Sequence, residues 1–192
     1  SSDSKYKQIG QENPATSPYA STKLDGERIA FDLSSSQTRF LCLRFFNVYG
    51  VGQNFNSQYA SVISDFISRM SAGLPVSIHG DGLQSRDFIH VDDVSKIILL
   101  GYQTQTPPFR IVNVGTGIGN SIINLHNLLS KIFYDQGIKT TKAVFSGPRE
   151  GDIRHSIADI SGLKGWMGEP NFIELERGLK DLVKRTLHES DA

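Results

Sequence analysis

Tyr19 and Lys23 stand four residues apart in the stretch Ser17-Pro18-Tyr19-Ala20-Ser21-Thr22-Lys23, just after a proline that can open a helix. Residues at that spacing share one helical face, so the phenol and the ammonium share one environment. A phenol titrates near ~10 and is a poor base at neutral pH. A neighbouring ammonium favours the phenolate, and a phenol brought toward working pH can take a proton from an alcohol. The chemistry on offer is acid/base exchange with a hydroxyl-bearing substrate. Taken alone, Y-x-x-x-K is common by chance, and an exposed helix face accounts for it equally well.

The elements that must position this pair read as follows. Ser17 then Pro18 is a hydroxyl cap followed by proline at the first helical position, which predicts a helix to about Leu33. The stretch from Phe40 to Gly50, "FLCLRFFNVYG", predicts one strand buried on both faces of a parallel sheet. Tyr59, Val62, Ile63, Phe66, Ile67 and Met70 form a helical stripe that Gly73 ends. "PVSIHG" and "RDFIHV" are short strands, and Asp92 or Asp93 is the expected cap of a helix through "VSKIILLGYQ". Pro107 and Pro108 precede the strand "RIVNVG", and Ser121 caps an apolar helix to about Tyr134. "KAVFSG" is a further strand, and a charged amphipathic helix runs from about Glu174. Strands alternating with helices predict an α/β layout.

Gly115, Gly117 and Gly119 follow a strand and precede a helix, where a dinucleotide-binding loop would sit. The fingerprint is G-x-G-x-x-G with an acidic residue about 20 positions on. Here the run is G-x-G-x-G and no acidic residue follows about 20 positions on at the end of a second strand, which favours a tight strand-to-helix turn.

With 38% hydrophobic and 21% charged residues, the 192-residue chain has an ordinary globular composition. Its 20 basic and 20 acidic residues cancel, so no net field points to nucleic acid or an acidic membrane. No apolar run approaches the ~20 residues that span a bilayer, and a cytoplasmic location is expected. The single Cys42 lies in an apolar run and is expected to act as a small buried hydrophobe. His90, His126 and His155 have no metal-ligand spacing, and no metal site is expected.

Around the Tyr19–Lys23 pair stand "SSDSKY" upstream and, in order downstream, "LRFFNVYG", "IHGDG", "SRDFIHVDDV", "NVGTG" and "GDIRHSIADIS". That ordered set, from Ser1 to about Ser161, closely resembles the extended short-chain dehydrogenase/reductase family of nucleotide-sugar epimerases and dehydratases. The resemblance implies that Tyr19 exchanges a proton with a sugar hydroxyl while hydride passes to or from NAD. Lys23 matches the lysine that holds the cofactor ribose. Ser2 matches the hydroxyl residue bonded to the sugar oxygen, with Ser4 beside it. Asn47, Arg86 and Arg149 match residues on the substrate diphosphate, and Asp152 one that orders the uridine ribose. Two planar, permanently charged guanidinium groups suit a pyrophosphate physically. Outside this motif order, Arg86 would read as a surface ion pair with Asp87.

Dehydratases of the family carry an acidic pair beside the catalytic hydroxyl, whereas here the triplet is Ser2-Asp3-Ser4. Serine-rich triplets are more typical of the 4-epimerases. Where epimerases restricted to glucose and galactose place a tyrosine, this chain has Ser156, small enough to admit an N-acetyl group. The implied function is a UDP-GlcNAc/UDP-GalNAc or UDP-Glc/UDP-Gal 4-epimerase. A sugar 4,6-dehydratase or UDP-glucuronate decarboxylase is the alternative of the same family. A non-catalytic nucleotide-sugar-binding module, a partner subunit or a purely structural fragment is the alternative of another class.

The implied fold is an incomplete Rossmann-like, doubly wound domain without its NAD-binding βαβ units, joined to a smaller α/β substrate domain. Residues 1–50 would be the remnant of the NAD domain and 51–192 mainly the substrate domain, with about 90–115 returning to the Rossmann sheet. By the same resemblance, a homodimer is expected, and faces that normally pack on the NAD sheet should be exposed and prone to associate. The 192-residue polypeptide alone is therefore expected to turn over UDP-N-acetylglucosamine negligibly; measurable epimerisation by the purified chain would refute this.

Overall fold

The computed structural model describes residues 18–53, 61–104, 106–149 and 151–190; Ser2, Ser4, Ser17 and Tyr59 lie outside them. Helix α1 (Pro18–Asp32) starts on its proline and precedes strands β1 (Phe40–Phe45) and β2 (Asn47–Tyr49). Helix α2 (Val62–Ser71) follows, capped by the Ser61 hydroxyl, which accepts from the Ser64 N–H. Next come β3 (Ser77–His79), β4 (Ser85–Arg86), β5 (Phe88–His90) and α3 (Val91–Gln103). Strands β6 (Phe109–Val114) and β7 (Asn120–Ser121) lead into α4 (Ile122–Asp135). The chain continues through β8 (Val144–Ser146), β9 (His155–Ser156), α5 (Ser161–Met167) and α6 (Leu175–Ser190).

The ladders are parallel for β1–β6, β2–β5, β3–β8 and β4–β9, and antiparallel only for β4–β7. Parallel pairs need crossovers, and helices supply them, which is the α/β Rossmann-like pattern. Two apolar clusters support it. One gathers Ile67 and Met70 of α2, Leu129 and Phe133 of α4, and Leu179 and Val183 of α6. The other packs Ile89, Val94, Ile97, Val112, Val114 and Leu163 between the parallel strands and α3 and α5.

Four sequence expectations change. The run from Phe40 is two strands, because at Phe46 the chain leaves β6 and takes up β5. The Phe46 N–H still reaches Val114 O, while the Asn47 N–H reaches Asp87 O, both at 3.0 Å. Strand β1 is half-buried rather than buried on both faces, with Phe45 exposed, since β6 is its one ladder partner among the described residues. Cys42 is accordingly half-buried, and burial followed by the charge of Glu27 pushes its thiol pKa up. Helix α3 is capped by His90, whose Nδ1 accepts from the Asp92 N–H at 3.2 Å, and not by Asp92 or Asp93. Asp93 is buried instead, taking the Lys96 ammonium at 2.8 Å and the Ile173 N–H at 2.7 Å.

Apolar residues on two helices stay open. Ile29, Phe31 and Leu33 at the end of α1, and Ile98, Leu99 and Tyr102 of α3, are exposed.

Between β4 and β5 lies Asp87, fully buried at 0% exposure. Its carboxylate accepts from Thr116 N (2.8 Å), Thr116 Oγ1 (2.6 Å), Gly117 N (2.9 Å) and Ala158 N (3.1 Å). The glycines serve this contact. A Cβ on Gly115 would lie 2.6 Å from Asp87 Oδ2 and from Ala158 Cβ, and Gly117 has φ +76°. An amide at position 87 would turn an NH2 toward these donors. Asp87→Asn is expected to lower the unfolding free energy by about 2–4 kcal/mol. Urea denaturation reads this against Asp65→Asn on the surface of α2, which should stay within about 0.5 kcal/mol of wild type.

Candidate functional site

The β7–β4–β9 sheet carries Arg86 and Ser156, two of the residues expected from sequence to meet the substrate. Arg86 on the central strand pairs in register with Ser156 on β9 and Asn120 on β7, so the three form one cross-strand row. The Arg86 guanidinium is largely covered, at 15% side-chain exposure. Its Nη1 donates to Ser85 O (2.9 Å) and Ile153 O (2.6 Å), and its Nη2 to Asp152 Oδ1 (2.5 Å). Its acid partner is therefore Asp152 and not the neighbouring Asp87. The Asp152 N–H donates to Arg149 O at 3.1 Å, so a short turn brings exposed Arg149 to the same edge. Asn47 joins through the residue next to Arg86: its N–H and its Nδ2 both donate to Asp87 O at 3.0 Å.

Tyr19 and Lys23 stand outside this hydrogen-bond network of the described residues, on α1. They do share a face, with Lys23 Nζ 5.2 Å from the centre of the Tyr19 ring, and the phenol is 72% exposed. Helix α1 is tied to β1 by a fork in which Arg44 Nε and Nη2 donate to the two Glu27 oxygens at 2.7 and 2.6 Å.

A second ion pair borders the sheet. Arg154 Nη1 and Nη2 donate to Asp81 Oδ1 and Oδ2 at 2.6 and 2.8 Å. The hydrogen bonds from Arg154 and from the Leu83 N–H hold the Asp81 carboxyl down at about 2. Two hydroxyl–imidazole bonds join the same segments, Ser85 Oγ to His155 Nδ1 and Ser146 Oγ to His79 Nδ1, both 2.9 Å. A cleft of about 510 Å³ at His90, Asp135, Arg177 and Lys184 holds none of the site residues expected from sequence. Among the described residues no cluster of three His, Cys, Asp or Glu could hold a metal, and no helix is long and apolar enough to cross a membrane.

Residues 2–115 match the NAD dependent epimerase/dehydratase family. The chain belongs to that family. It is similar to the UDP-N-acetylglucosamine 4-epimerase of Methanobrevibacter ruminantium, solved with UDP-N-acetylmuramic acid. The two are 33% identical, with a TM-score of 0.84, over 97% of this chain and 58% of that one. A UDP-glucose 4-epimerase of Thermotoga maritima, solved with UDP-glucose, is 34% identical with a TM-score of 0.72, over 89% of this chain and 52% of that one. The dTDP-L-rhamnose 4-epimerase of Burkholderia thailandensis is 28% identical over 92% of this chain and 48% of its own length. The chain spans about half the length of the curated relatives it matches.

Sequence reasoning on this epimerase/dehydratase chain missed Asp81 and Arg154, which lie 73 positions apart. Their one signal was that each sits inside a quoted motif, "IHGDG" and "GDIRHS". A carboxylate depressed in the fold adds stability above its unfolded pKa of ~3.9, and that contribution is lost as pH falls through about 2. The Asp81 carboxyl carbon resonance is expected to titrate at about 2 in the wild-type chain and to move up toward ~3.9 in Arg154→Met, stopping short of it because the Leu83 N–H bond remains. The stability gap between the two proteins should close over that same acid window.

Proposed function

We propose that this chain carries the nucleotide-sugar site and the acid/base pair of an NAD-dependent nucleotide-sugar 4-epimerase. Its substrates would be UDP-GlcNAc/UDP-GalNAc or UDP-Glc/UDP-Gal. The observation that carries the reading is the row on β4 and β9: a covered, pre-oriented Arg86 beside Asp152, with the small Ser156 across from it. Arg86 and Arg149 would grip the diphosphate, with Asn47 beside them, and Asp152 would take a ribose hydroxyl. Ser156 leaves room for an N-acetyl group.

The residues present fit one end of NAD. Lys23 and Tyr19, on one face of α1, would hold the nicotinamide ribose. The glycine run does not fit a phosphate, because the Thr116 and Gly117 N–H groups already bind Asp87. When bound, NAD supplies the hydride acceptor and donor. Tyr19 would take the proton of the sugar 4-hydroxyl as hydride leaves C4, with the charge of Lys23 alongside. The keto sugar would turn over, and Tyr19 would return the proton after hydride arrives on the opposite face. We read the open apolar residues of α1 and α3 as surfaces for the cofactor-binding unit.

Calorimetry on this chain is expected to show UDP-GlcNAc and UDP-glucose binding without NAD binding. Arg86→Met should weaken both sugar nucleotides by more than about tenfold. Ser156→Tyr should keep UDP-glucose and lose UDP-GlcNAc. Binding of NAD with no binding of either UDP-sugar would overturn the proposal.

A further inference from the structure

We infer that Asp81 and Arg154 are positioning residues for Arg86, and through it for the diphosphate of the ligand; this rests on the nucleotide-sugar reading above. Two of the three acceptors that hold the Arg86 guanidinium, Asp152 Oδ1 and Ile153 O, belong to the dipeptide just before Arg154. Whatever fixes that dipeptide therefore aims Arg86. Its ladder cannot do so alone, because β4 and β9 pair over two residues, Ser85 with His155 and Arg86 with Ser156. A ladder that short specifies register weakly.

The bonds of Asp87 to Ser156 and Ala158 and of Ser85 to His155 hold β9 from Arg154 onward, and Arg154 adds the constraint next to the dipeptide, at both ends of its own residue. Its carbonyl accepts the Ser85 N–H at 2.9 Å, one residue from Arg86. Its side chain meets both Asp81 oxygens, and a planar two-bond fork fixes orientation as well as distance. The two ion pairs cross: the acid of the first segment, Asp81, takes the base of the second, and the base of the first, Arg86, takes the acid of the second, Asp152. A slip of β9 along β4 would break both together.

The purpose of the fork is geometric, since a half-exposed ion pair adds little stability. With Nη1 spent on two carbonyls and one Nη2 hydrogen on Asp152, Arg86 keeps its Nε–H and one Nη2–H for phosphate oxygens.

The test uses the nitrogen-labelled full chain and UDP as the ligand. The wild-type protein should show separately resolved Arg86 Nη protons, because carbonyls and carboxylate stop the group turning. Arg154→Met and Asp81→Asn should broaden or average those signals. Arg185→Met, which breaks the exposed Arg185–Asp181 pair on α6, should leave them unchanged. UDP should bind about tenfold more weakly to Arg154→Met, with Arg154→Lys in between because it restores charge without the fork. Unchanged Arg86 signals in Arg154→Met, or UDP affinity within about twofold of wild type, would overturn the inference. If Arg154→Met does not fold, Asp81→Asn and Arg154→Lys decide by the same two readouts. A wild-type chain that binds no UDP overturns the nucleotide-sugar reading and the ligand role with it, while the Arg86 signals still decide whether the clasp aims that side chain.

Discussion

A carboxylate taken out of water without a cation to meet it is costly unless donors replace the lost solvent. Asp87 is such a group, and four N–H and O–H donors from two distant segments converge on it. Its backbone does as much. The Asp87 N–H reaches Ser156 O, and its carbonyl takes two bonds from Asn47. One residue thus ties β2, the junction of β4 and β5, the turn after β6 and the end of β9. Removing water from the carboxylate is affordable only if all four segments arrive together, so Asp87 makes their arrangement cooperative.

The positions of the residues proposed to bind substrate follow from that knot. Arg86 precedes Asp87, Asn47 is bonded to it, and Ser156 is both its backbone acceptor and the cross-strand neighbour of Arg86. The glycine run is explained in the same terms. A dinucleotide loop offers its N–H groups to a phosphate, whereas here they are offered to an anion of the chain itself. The glycines recur for a shared reason, close approach of backbone to a negative group. The ligand differs because the fold brings its own.

What the sequence made legible was whatever depends on neighbours in the chain. Pro18 opening α1, Ser121 capping α4 and Gly73 ending the α2 stripe are local chemistry, and the structure has them. The split of the run from Phe40 was not legible, because it reflects a change of partner from β6 to β5 rather than any change in composition. His90 was passed over as a cap because a ring nitrogen is an uncommon substitute for a carboxylate or hydroxyl. Asp87 read as a surface partner of Arg86 because adjacency in sequence was the only adjacency visible. Its real partners stand 29 to 71 residues away. The ordered motifs did point to the right segments, since "SRDF", "NVGTG" and "GDIRHSIADIS" are the pieces that meet at Asp87 and Arg86. Order along the chain was a proxy for contact in space, but it did not say which side chain held which.

Tyr19 and Lys23 are anchored differently from the Arg86 row, and more lightly. Helix α1 buries only Ala30 and depends on the Glu27–Arg44 fork and the edge-to-face contact of Phe31 with Phe109, whose ring centres are 5.2 Å apart. The fork is the stronger of these, since both partners are mostly covered and charge-assisted bonds gain in a drier setting. Arg44 lies on β1 three residues before Asn47, so the path from Tyr19 to Asn47 and Arg86 runs through one ion pair and one short strand. A phenol that is 72% exposed exchanges protons with water as readily as with a substrate. Selective transfer to one sugar hydroxyl requires that water be excluded from that face. The open apolar residues Ile29, Phe31 and Leu33 at the end of that helix are what such a cover would rest on. On the proposed reading, catalysis by Tyr19 would then depend on a covered face rather than on the Y-x-x-x-K spacing itself.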